Sequence, residues 1–392
     1  MDLTLNNAVM GVELSGIRQF TYLVRDTPGA CALTIGEPDL NTPDVIKEAA
    51  KAALDANDTH YPPGNGYPYA LEAISKFEAE AHGLHYAPSE IILTVGATEA
   101  LFASFSTILN PGDEVIIPTP AFGLYEALVQ LQGGVPVSLP TEHNHFQIVP
   151  EELKAAITDR TKAIILTSPN NPTGCVYTKE TLDAVHAILQ DKPIFVLCDD
   201  VYRTLTYCED YHSFAEYQDM RDRIIVVQSF SKPYAMTGWR IGYVAGPRVE
   251  ICAMTSFQSH ATSNANSIAQ YAAMKALQGD PQCVTDMVAQ FEARRNAMVE
   301  KINSIPGLSC MKPQGAFYIM LNITGVMGKT YNGRVIDSSQ TFAELLLADK
   351  HVAVVPGNAF EAEGFCRLSY AVAMESCMEG LRRIEEFVSE LK

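Results

Sequence analysis

Short apolar runs alternate with amphipathic segments between Ile91 and Ala245. The runs are rich in β-branched and aliphatic residues, which predicts buried strands at Ile91–Val95, Val115–Ile117, Val135–Leu139, Ala163–Thr167, Ile194–Cys198, Ile224–Val227 and Ile241–Ala245. Helical periodicity separates several of them and predicts helices at Glu99–Leu109, Tyr125–Gln132, Pro150–Ala156 and Lys179–Leu189. This alternation is typical of a largely parallel α/β sheet with helices on both faces. The last two runs are expected to be strands of parallel type.

The regions on either side of this sheet have a different pattern. Further helices are predicted at Pro43–Asn57, Tyr69–His82, 262–278, Asp286–Ile302, Ser339–Lys350 and Glu375–Leu391, and further strands at Gly315–Ile319, Val352–Val355 and Cys366–Tyr370. Thr42 is the expected N-cap of the first of these helices. Arg294 and Arg295 are expected on a solvated helix face. The interleaved strands and helices near the C-terminus indicate a small α+β domain.

The length, composition and charge of the chain limit its domain organisation and its possible partners. Its 392 residues exceed one ordinary hydrophobic core, so we expect a large domain at residues 45–280 and a small domain formed by residues 1–44 and 281–392. A content of 47% hydrophobic and 19% charged residues is that of a globular protein. The formal net charge of −18 argues against nucleic acid or an anionic membrane as a partner, because both require a basic surface. A small anionic ligand, which needs only a few local cations, stays compatible with this charge.

The cysteine pattern and the N-terminal stretch indicate the cellular compartment of the protein. The nine cysteines are scattered without a C-x-x-C pair, their number is odd, and several lie in apolar runs. Buried reduced thiols in a cytoplasmic protein explain this pattern better than a zinc site or a disulfide framework. The N-terminus lacks a basic start before an apolar core, so no secretory signal is expected. Because no apolar stretch approaches the roughly 20 residues of a membrane span, we expect a soluble, cytoplasmic protein.

The segment from Ile224 to Ala245 contains the most informative polar residues. Two apolar runs flank Ser229, Ser231, Lys232 and Arg240. A lysine at the end of a buried strand is partly desolvated, which lowers the pKa of its ammonium group and lets the amine form a Schiff base with a carbonyl. Serine hydroxyls and a guanidinium are groups that hold a phosphate. For S-x-S-K alone, however, a surface loop that contains one lysine is the simpler explanation.

Other polar groups also follow predicted strands, where ligands collect in parallel sheets. Gly96, Ala97 and Thr98 open a helix, and such small residues let backbone N–H groups approach an anion, although Thr98 acting as a helix cap would explain them equally well. Asp199 ends a buried strand, where a carboxylate is costly unless it meets a cation. No G-x-G-x-x-G follows any predicted strand, which argues against a dinucleotide-binding dehydrogenase.

Eight short motifs occur in order between positions 36 and 370: GEPD, Y-x-x-x-x-G, GAT, PAF, NPTG, DDVY, SFSK with its arginine, and RLSYA. Together they resemble the class I/II aminotransferases, enzymes of the aspartate aminotransferase fold that use pyridoxal 5′-phosphate (PLP). The resemblance covers nearly the whole chain. It implies fold type I of PLP-dependent transferases: an α/β large domain with a mostly parallel seven-stranded sheet between helices, and a small α+β domain. One mild departure is Asp200, where the family usually has glutamate.

The resemblance implies a role for each residue that contacts the cofactor ring. Lys232 is the candidate Schiff-base lysine, which would also transfer the α-proton of the substrate. Asp199 is the partner of the pyridine nitrogen, and Tyr202 donates to the phenolic oxygen; these three form the candidate catalytic set. Asn171 of N-P-T-G also binds the phenolic oxygen, and Phe122 stacks on the pyridine face.

The resemblance further implies how phosphate and substrate are bound. The residues expected at the phosphate within one subunit are Gly96, Ala97, Thr98, Ser229, Ser231 and Arg240. Tyr61 is expected to reach the phosphate of the neighbouring subunit, which implies a homodimer with its active site at the subunit interface. Arg367 of R-L-S-Y-A binds the α-carboxylate of the substrate, and Gly36 and Asn171 lie close to it. No metal is expected.

The implied reaction is transfer of the amino group of an L-amino acid to a 2-oxo acid. The stretches ELSGIRQF, LTIGEPD and GWRIGY are most similar to bacterial aminotransferases for aromatic amino acids, aspartate or N-acetyl-diaminopimelate, with glutamate and 2-oxoglutarate as the default second pair. Two alternatives stay open: a PLP-dependent C–S β-lyase, whose lysine, aspartate and arginine would be the same, and a non-catalytic PLP-binding module. A second substrate carboxylate would need another cation. Arg18 is a candidate because the N-terminal segment can fold over such a site, but a surface position explains it more simply.

Overall fold

A seven-stranded sheet organises the larger part of the molecule. The computed structural model describes residues 4–12, 16, 24–25 and 27–392, so the candidate Arg18 lies outside the described residues. The strands are β1 (Cys31–Ala32), β2 (Ile91–Thr94), β3 (Glu114–Thr119), β4 (Val135–Pro140), β5 (Thr161–Thr167), β6 (Phe195–Asp199), β7 (Ile224–Ser229), β8 (Gly242–Ala245), β9 (Tyr318–Asn322), β10 (Thr330–Tyr331), β11 (Arg334–Val335), β12 (Val352–Ala353), β13 (Val355–Pro356) and β14 (Phe365–Ser369). The helices are α1 (Asn7–Met10), α2 (Asp44–Asp55), α3 (Pro68–His82), α4 (Gly96–Ile108), α5 (Leu124–Leu131), α6 (Pro150–Ala156), α7 (Lys179–Leu189), α8 (Arg248–Ala261), α9 (Ser267–Gln278), α10 (Gln282–Asn303), α11 (Ser339–Lys350) and α12 (Met374–Ser389). None of these helices has the length and hydrophobicity that a membrane crossing requires.

The seven strands β2 to β8 correspond to the seven predicted apolar runs, in the spatial order β2-β8-β7-β6-β5-β3-β4. Strands β4, β3, β5, β6 and β7 run parallel to one another. Strand β8 is antiparallel to both of its neighbours, β7 and β2. The prediction of a parallel-type strand at Ile241–Ala245 is therefore wrong. Residues 230–241 join β7 to β8 without an α-helix, and a chain that returns over such a connection pairs in the antiparallel direction.

Both faces of the sheet are buried, which explains why its strands are nearly continuous apolar runs. Adjacent residues of a strand point to opposite faces. Ile165 and Ile225 accordingly pack into one hydrophobic core, whereas Ile164 and Val226 pack into a second core on the other face. This two-faced arrangement confirms the predicted α/β architecture with helices on both sides of the sheet.

The C-terminal part contains a smaller antiparallel sheet in the order β13-β14-β9. The N-terminal segment joins it, because β1 pairs in parallel with β12 and the backbone N–H of Leu33 donates to the carbonyl oxygen of Ala353 at 2.9 Å. The carbonyl oxygen of the same residue, Leu33, accepts from the backbone N–H of Ser369 at 2.8 Å. The association of N- and C-terminal residues agrees with the expected small domain, whose boundaries at residues 44/45 and 280/281 stay a prediction.

Thr42 does not cap the helix that follows it. Helix α2 begins at Asp44, its N-cap residue is Pro43, and no side chain makes a capping hydrogen bond there. The hydroxyl of Thr42 donates instead to the carbonyl oxygen of Ala235 at 2.6 Å and accepts from the indole N–H of Trp239 at 3.0 Å. Thr42 thereby fastens the N-terminal segment to the loop between β7 and β8, and the predicted N-cap is wrong.

Arg294 and Arg295 of α10 are buried, so the predicted solvated face is wrong as well. Arg294 binds both carboxylate oxygens of Asp39, at 2.8 and 3.0 Å. The guanidinium of Arg295 lies 4.4 Å from the ring centre of Tyr207 and donates to the carbonyl oxygen of Pro313 at 3.1 Å. Helical periodicity does not reveal such contacts, because the partners come from distant parts of the chain.

Candidate active site

A cavity of about 250 Å³ lies where the parallel strands β5, β6 and β7 end. Its lining contains most of the residues that the sequence singled out: Gly36, Ala97, Thr98, Phe122, Asn171, Asp199, Tyr202, Ser229, Ser231, Lys232, Arg240 and Arg367. The other lining residues are Leu101, Leu124, Tyr125, Val201 and Tyr318. Gly96 and Tyr61 were also predicted at the site but do not line this cavity.

Strand topology explains why residues so distant in sequence meet here. Asp199 is the last residue of β6, Ser229 is the last residue of β7, and Asn171 follows shortly after β5. Neighbouring parallel strands end at the same edge of a sheet, so the side chains that follow them converge. Arg367 is contributed by β14 of the C-terminal sheet, so the cavity lies between the two parts of the molecule.

The amine of Lys232 points into this cavity and donates to the carbonyl oxygen of Gly36 at 2.5 Å. The pKa of Lys232 is lowered to about 8, chiefly by burial and in part by the nearby guanidinium groups of Arg367 and Arg240, against the opposing effect of the carboxylates of Glu37 and Asp199. The neutral form of the amine is thus accessible near neutral pH, which is what a nucleophile or a general base requires.

The carboxylate of Asp199 has one oxygen occupied and one free. Its Oδ2 accepts a hydrogen bond from the hydroxyl of Tyr125 at 2.6 Å, whereas the buried Oδ1 has no partner in the described part of the chain. Burial raises the pKa of Asp199 to about 6, and the hydrogen bond from Tyr125 opposes this rise. A buried carboxylate oxygen without a donor is costly, so Asp199 is suited to accept from an N–H group of a ligand.

A second group of lining residues is suited to an anion. Ala97 and Thr98 lie in the first turn of α4, where backbone N–H groups and the helix dipole favour negative charge. The hydroxyls of Ser229 and Ser231 and the exposed guanidinium of Arg240 face the same space. Hydroxyls, backbone N–H groups and a guanidinium together are typical of a phosphate site.

Gly96 affects this anion site through its close approach to Arg240. Its φ angle is +76°, and a Cβ atom at this position would lie 2.7 Å from Nη2 of Arg240. Only glycine therefore lets the guanidinium of Arg240 approach the start of α4. Gly96 acts on the predicted phosphate site through Arg240 and not as a lining residue.

Arg367 is a buried cation with spare hydrogen-bonding capacity. Only 1% of its surface is exposed, and its guanidinium carbon lies 4.4 Å from the ring centre of Tyr318 and 4.9 Å from that of Phe360. Its Nη1 donates to Oδ1 of Asn171 at 2.8 Å and its Nη2 to the carbonyl oxygen of Thr34 at 3.1 Å. Its Nε has no partner among the described residues. Because no carboxylate among the described residues pairs with this buried guanidinium, its charge is incompletely compensated, and the position favours an anionic substrate group.

Sequence reasoning missed two tyrosines of the site. The hydroxyl of Tyr318 lies 3.0 Å from the hydroxyl of Tyr202, and Tyr125 binds Asp199. Tyr125 comes three residues after Phe122 in the predicted PAF motif, and the two rings meet edge to face at 5.9 Å between centres. The position of Tyr125 one helical turn after Phe122 was the available signal; Tyr318 lay within a predicted strand and gave none.

Tyr61 lies on the surface, and 87% of it is exposed. It borders a separate shallow depression together with Asn264 and Asn266. A single chain does not test the expectation that Tyr61 reaches the phosphate of a neighbouring subunit, so that role stays a prediction.

The residues of the cavity fit PLP on structural grounds. The free Oδ1 of Asp199 suits a protonated ring nitrogen, the start of α4 with Arg240 suits a phosphate, and Lys232 lines the same cavity as an amine of lowered pKa. Phe122 supplies an aromatic wall. No cluster of side chains that could hold a metal ion occurs in the residues described.

Comparison with known proteins gives the same family. The family described as aminotransferase class I and II matches residues 30–384. The aspartate aminotransferase of Geobacillus stearothermophilus is 44% identical over 359 residues, which cover 91% of this chain and 90% of that protein. The aspartate/prephenate aminotransferase of Cereibacter sphaeroides is 42% identical over 380 residues, which cover 95% of this chain and 94% of that protein.

The fold comparison agrees with the sequence comparison. The crystal structure of the aspartate aminotransferase from Rhizobium meliloti superposes with a TM-score of 0.96 at 36% sequence identity and covers 100% of both chains. The predicted fold is thereby confirmed. The chain belongs to the class I and II aminotransferases, enzymes of the aspartate aminotransferase fold that use pyridoxal phosphate.

Proposed function

We propose that this aminotransferase moves the amino group of an L-amino acid to a 2-oxo acid, with glutamate and 2-oxoglutarate as one pair. The second pair is aspartate-like, aromatic of the prephenate kind, or of the N-acetyl-diaminopimelate type. One observation carries the proposal: Lys232, Asp199 and Arg367 meet in one cavity as an amine, a carboxylate with a free oxygen and a buried guanidinium. The relatives are named aspartate and aspartate/prephenate aminotransferases, which favours transamination over β-elimination.

The ring of the cofactor would be held by residues at the ends of β6 and β7 and by the loop after β5. Asp199 would accept from the ring nitrogen through Oδ1, and Lys232 would bind the cofactor covalently as the Schiff-base lysine. Phe122 would pack on the ring face, while Asn171 and Tyr202 would donate to the phenolic oxygen. When bound, PLP supplies an electron sink for the negative charge that develops at the α-carbon of the substrate.

The phosphate would be bound at the start of α4. The groups available there are the backbone N–H groups of Ala97 and Thr98, the hydroxyls of Ser229 and Ser231, and the guanidinium of Arg240. The N–H of Ser231 donates to Oγ of Ser229 at 3.1 Å, which leaves the Ser229 hydroxyl hydrogen available to an anion. Gly96 would keep Arg240 in reach of the phosphate by leaving room beside it.

Arg367 would bind the α-carboxylate of the substrate through the planar fork of its guanidinium. The contacts with the rings of Tyr318 and Phe360 would restrict the orientation of this fork. A carboxylate there would compensate the buried charge, which supports Arg367 as the group that orients the amino acid. The α-carbon of a substrate held by Arg367 would then lie in the same cavity as the amine of Lys232.

Lys232 would move the α-proton as general base and then as general acid. Because burial lowers its pKa to about 8, the amine can accept a proton and release it again near neutral pH. Contacts with three residues restrict where the amine can move. It donates to the carbonyl oxygen of Gly36, and Nζ lies 5.9 Å from the ring centre of Tyr202 and 5.7 Å from that of Phe317.

The proposal includes a homodimer. The phosphate end of the cavity is open to solvent at the exposed Arg240, and a largely exposed tyrosine at position 61 lies outside this cavity. The hydroxyl of the partner's Tyr61 would complete the phosphate site. An exposed phenol within the loop formed by residues 60–66 suits this exchange better than a role within its own chain.

An absorbance titration of the PLP-loaded protein tests the proposal. Glutamate, aspartate, aromatic amino acids and a diaminopimelate derivative are added in turn, and the visible band of the bound cofactor is recorded. We expect the band to bleach with the true donors and to return on addition of 2-oxoglutarate or another 2-oxo acid. The order of the donor affinities then identifies the second substrate pair.

Two results would contradict the proposal. Release of pyruvate and ammonia from cysteine-like substrates, without exchange between amino and 2-oxo acids, would indicate a β-lyase. A visible band that survives every donor would indicate a non-catalytic binding module. The exchange reaction is measured in parallel with the Lys232→Ala variant, which lacks the amine.

A further inference from the structure

Tyr125 makes a contact at the site that none of the roles above uses. It lies in the first turn of α5 with 2% of its surface exposed. Its hydroxyl lies 2.6 Å from Oδ2 of Asp199 and 2.9 Å from Oγ1 of Thr167. Thr167 ends β5 and Asp199 ends β6, so the hydroxyl of Tyr125 bridges the ends of two neighbouring strands.

The direction of these hydrogen bonds follows from the donors available. A phenol has one hydrogen, and the carboxylate of Asp199 can only accept, so Tyr125 donates to Asp199. The hydroxyl of Tyr125 then accepts the hydrogen of Thr167, which gives a chain from Thr167 through Tyr125 to Asp199. All three side chains are buried, and hydrogen bonds in such a chain strengthen each other at low local dielectric.

This chain fixes the orientation of the Asp199 carboxylate. With Oδ2 held by Tyr125, rotation of the carboxylate would break a charge-assisted hydrogen bond, so Oδ1, which has no partner among the described residues, stays available to a ligand in the cavity that Asp199 lines. The ring of Tyr125 also meets the ring of Phe122 edge to face. The same side chain thus contacts the partner of the ring nitrogen and the residue expected on the ring face.

We propose that Tyr125, aligned by Thr167, is a positioning residue that presents Oδ1 of Asp199 to the ring nitrogen of bound PLP and keeps this carboxylate ionised. The inference rests on the proposed role of Asp199 in binding the ring nitrogen. Tyr125 touches neither the substrate nor the reacting atoms in this scheme. Its effect reaches the reaction only through Asp199.

The electrostatics of Asp199 support this role. Burial raises its pKa to about 6, and the hydrogen bond from Tyr125 is the largest influence that opposes the rise. The other ionisable groups that act on Asp199 or are acted on by it are Lys232, Asp200, Tyr202 and Cys198. Of these, Lys232 lowers the pKa of Asp199. Loss of the Tyr125 hydroxyl therefore moves the pKa of Asp199 towards neutral pH and favours a protonated carboxyl that cannot hold a proton on the ring nitrogen.

The test compares Tyr125→Phe and Thr167→Val with Tyr331→Phe. Tyr331 is a suitable control because it is also buried and donates to a carboxylate, Glu390 at 3.0 Å, in the C-terminal part. For each variant the measurements are the Kd of the apo-protein for PLP, the pH dependence of the cofactor absorbance, and kcat and KM. Thermal unfolding of the apo-proteins reports general damage to the fold.

For Tyr125→Phe we expect the Kd for PLP to rise and kcat to fall by about tenfold each, with KM nearly unchanged, as for loss of one hydrogen bond to a charged group. The midpoint pH of the absorbance transition that reports ionisation of the site should also shift. Thr167→Val should change the same quantities in the same direction but less, and Tyr331→Phe should leave them at wild-type values. A Tyr125→Phe variant with a lowered melting temperature but wild-type Kd and pH profile would overturn the inference.

Asp199→Asn separates this inference from the proposed function. If Asp199→Asn weakens PLP binding and alters the pH profile while Tyr125→Phe does neither, Tyr125 does not position Asp199 and the inference fails alone. If Asp199→Asn itself has wild-type PLP affinity and pH profile, the proposed role of Asp199 fails first. In the double variant of Tyr125 and Asp199, the loss of the Tyr125 hydroxyl should have no additional effect on Kd.

Discussion

The Nζ atom of Lys232 lies 2.5 Å from the carbonyl oxygen of Gly36, and the carboxylate of the next residue, Glu37, raises the pKa of the same lysine. Gly36 and Glu37 belong to the segment that joins the N-terminal residues to α2. Lys232 belongs to the loop between β7 and β8. The protonation of this amine is therefore set partly by a segment nearly two hundred residues away in sequence.

Replacing Glu37 should shift the pH dependence of covalent PLP capture. An amine attacks a carbonyl only when unprotonated, so capture increases as the pH rises through the pKa of Lys232, which is about 8. The negative charge of Glu37 stabilises the ammonium form; Glu37→Gln removes it, and the midpoint should move to lower pH. Stopped-flow absorbance of the apo-protein mixed with PLP at a series of pH values measures this midpoint.

Glu151→Gln is the matched control for Glu37→Gln. Glu151 is an exposed carboxylate on α6 that lies 3.4 Å from Lys154 and does not line the cavity. Its replacement should leave the midpoint in place. An upward shift in Glu37→Gln, or no shift at all, would show that Glu37 does not act on Lys232.

Arg367 should control substrate affinity without affecting the cofactor. Arg367→Gln removes the fork that would bind the α-carboxylate, so kcat/KM should fall about 100-fold, mainly through KM, while the Kd for PLP stays near wild type. Arg367→Lys keeps the charge but not the planar fork and should recover only part of this loss. Steady-state kinetics and PLP titration of each variant check both expectations.

The control is Arg382→Gln, which removes an exposed arginine that pairs with Glu379 on α12. This variant should have wild-type kinetics. If Arg367→Gln raised the Kd for PLP as strongly as the KM for the amino acid, Arg367 would serve the cofactor site and the assigned role would be wrong.

Gly96→Ala should weaken phosphate binding specifically. The substitution adds a Cβ atom 2.7 Å from Nη2 of Arg240 and forces the guanidinium away from the start of α4. We expect the Kd for PLP to rise about tenfold, the loss expected for one hydrogen bond to a charged group. Titration of the apo-protein with PLP, and with inorganic phosphate as a competitor, measures the effect.

Gly83→Ala provides a control for backbone strain. Gly83 also has a positive φ angle, +66°, but no atom lies within 4 Å of the position of its Cβ. Both substitutions should lower the free energy of unfolding by about 1 kcal/mol, because both glycines occupy the left-handed region of backbone conformation. Only Gly96→Ala should change the affinity for PLP; an equal change in both variants would exclude a local effect on Arg240.

Mixing two impaired variants should test the exchange of Tyr61 between subunits. Lys232→Ala should reduce turnover by about 10⁴-fold, as expected for a missing general base, and Tyr61→Ala should weaken PLP binding. In a mixed dimer, the subunit with an intact Lys232 receives the partner's Tyr61 from the Lys232→Ala chain. Refolding the two variants together should therefore restore PLP affinity and activity in a fraction of the sites.

The control for the mixing experiment is to refold each variant alone, which should restore nothing. A co-refolded mixture that is no more active than the sum of its parts would place Tyr61 in the site of its own chain or outside the site. Size-exclusion chromatography of the wild-type protein measures the assembly state independently.

The sequence predicts the sheet well because its strands are buried on both faces. Residues such as Ile164 and Ile165 each face a core, so the strands appear as continuous apolar runs that periodicity identifies. The direction of β8 was predicted wrongly, because an apolar run contains no information about the direction of its neighbour. Only the lack of a helix between β7 and β8 could have indicated the hairpin-like return.

The candidate site was predictable where a residue follows a strand within a motif. Asp199 and Ser229 end their strands and line the cavity as expected. Tyr125 and Tyr318 were missed, because their importance lies in hydrogen bonds to Asp199 and Tyr202 across the fold. Arg294 was misplaced for the same reason: its partner Asp39 is distant in sequence, and charge alone suggested an exposed position.

The contact between Thr42 and Trp239 has a practical consequence. Trp239 is the single tryptophan of the chain, its indole N–H donates to the hydroxyl of Thr42, and the next residue is Arg240. The tryptophan fluorescence of the protein therefore originates beside Arg240, at the contact between the N-terminal segment and the loop after β7. Emission from this indole can follow occupancy and local rearrangement at that contact without any label, in every variant that retains Trp239.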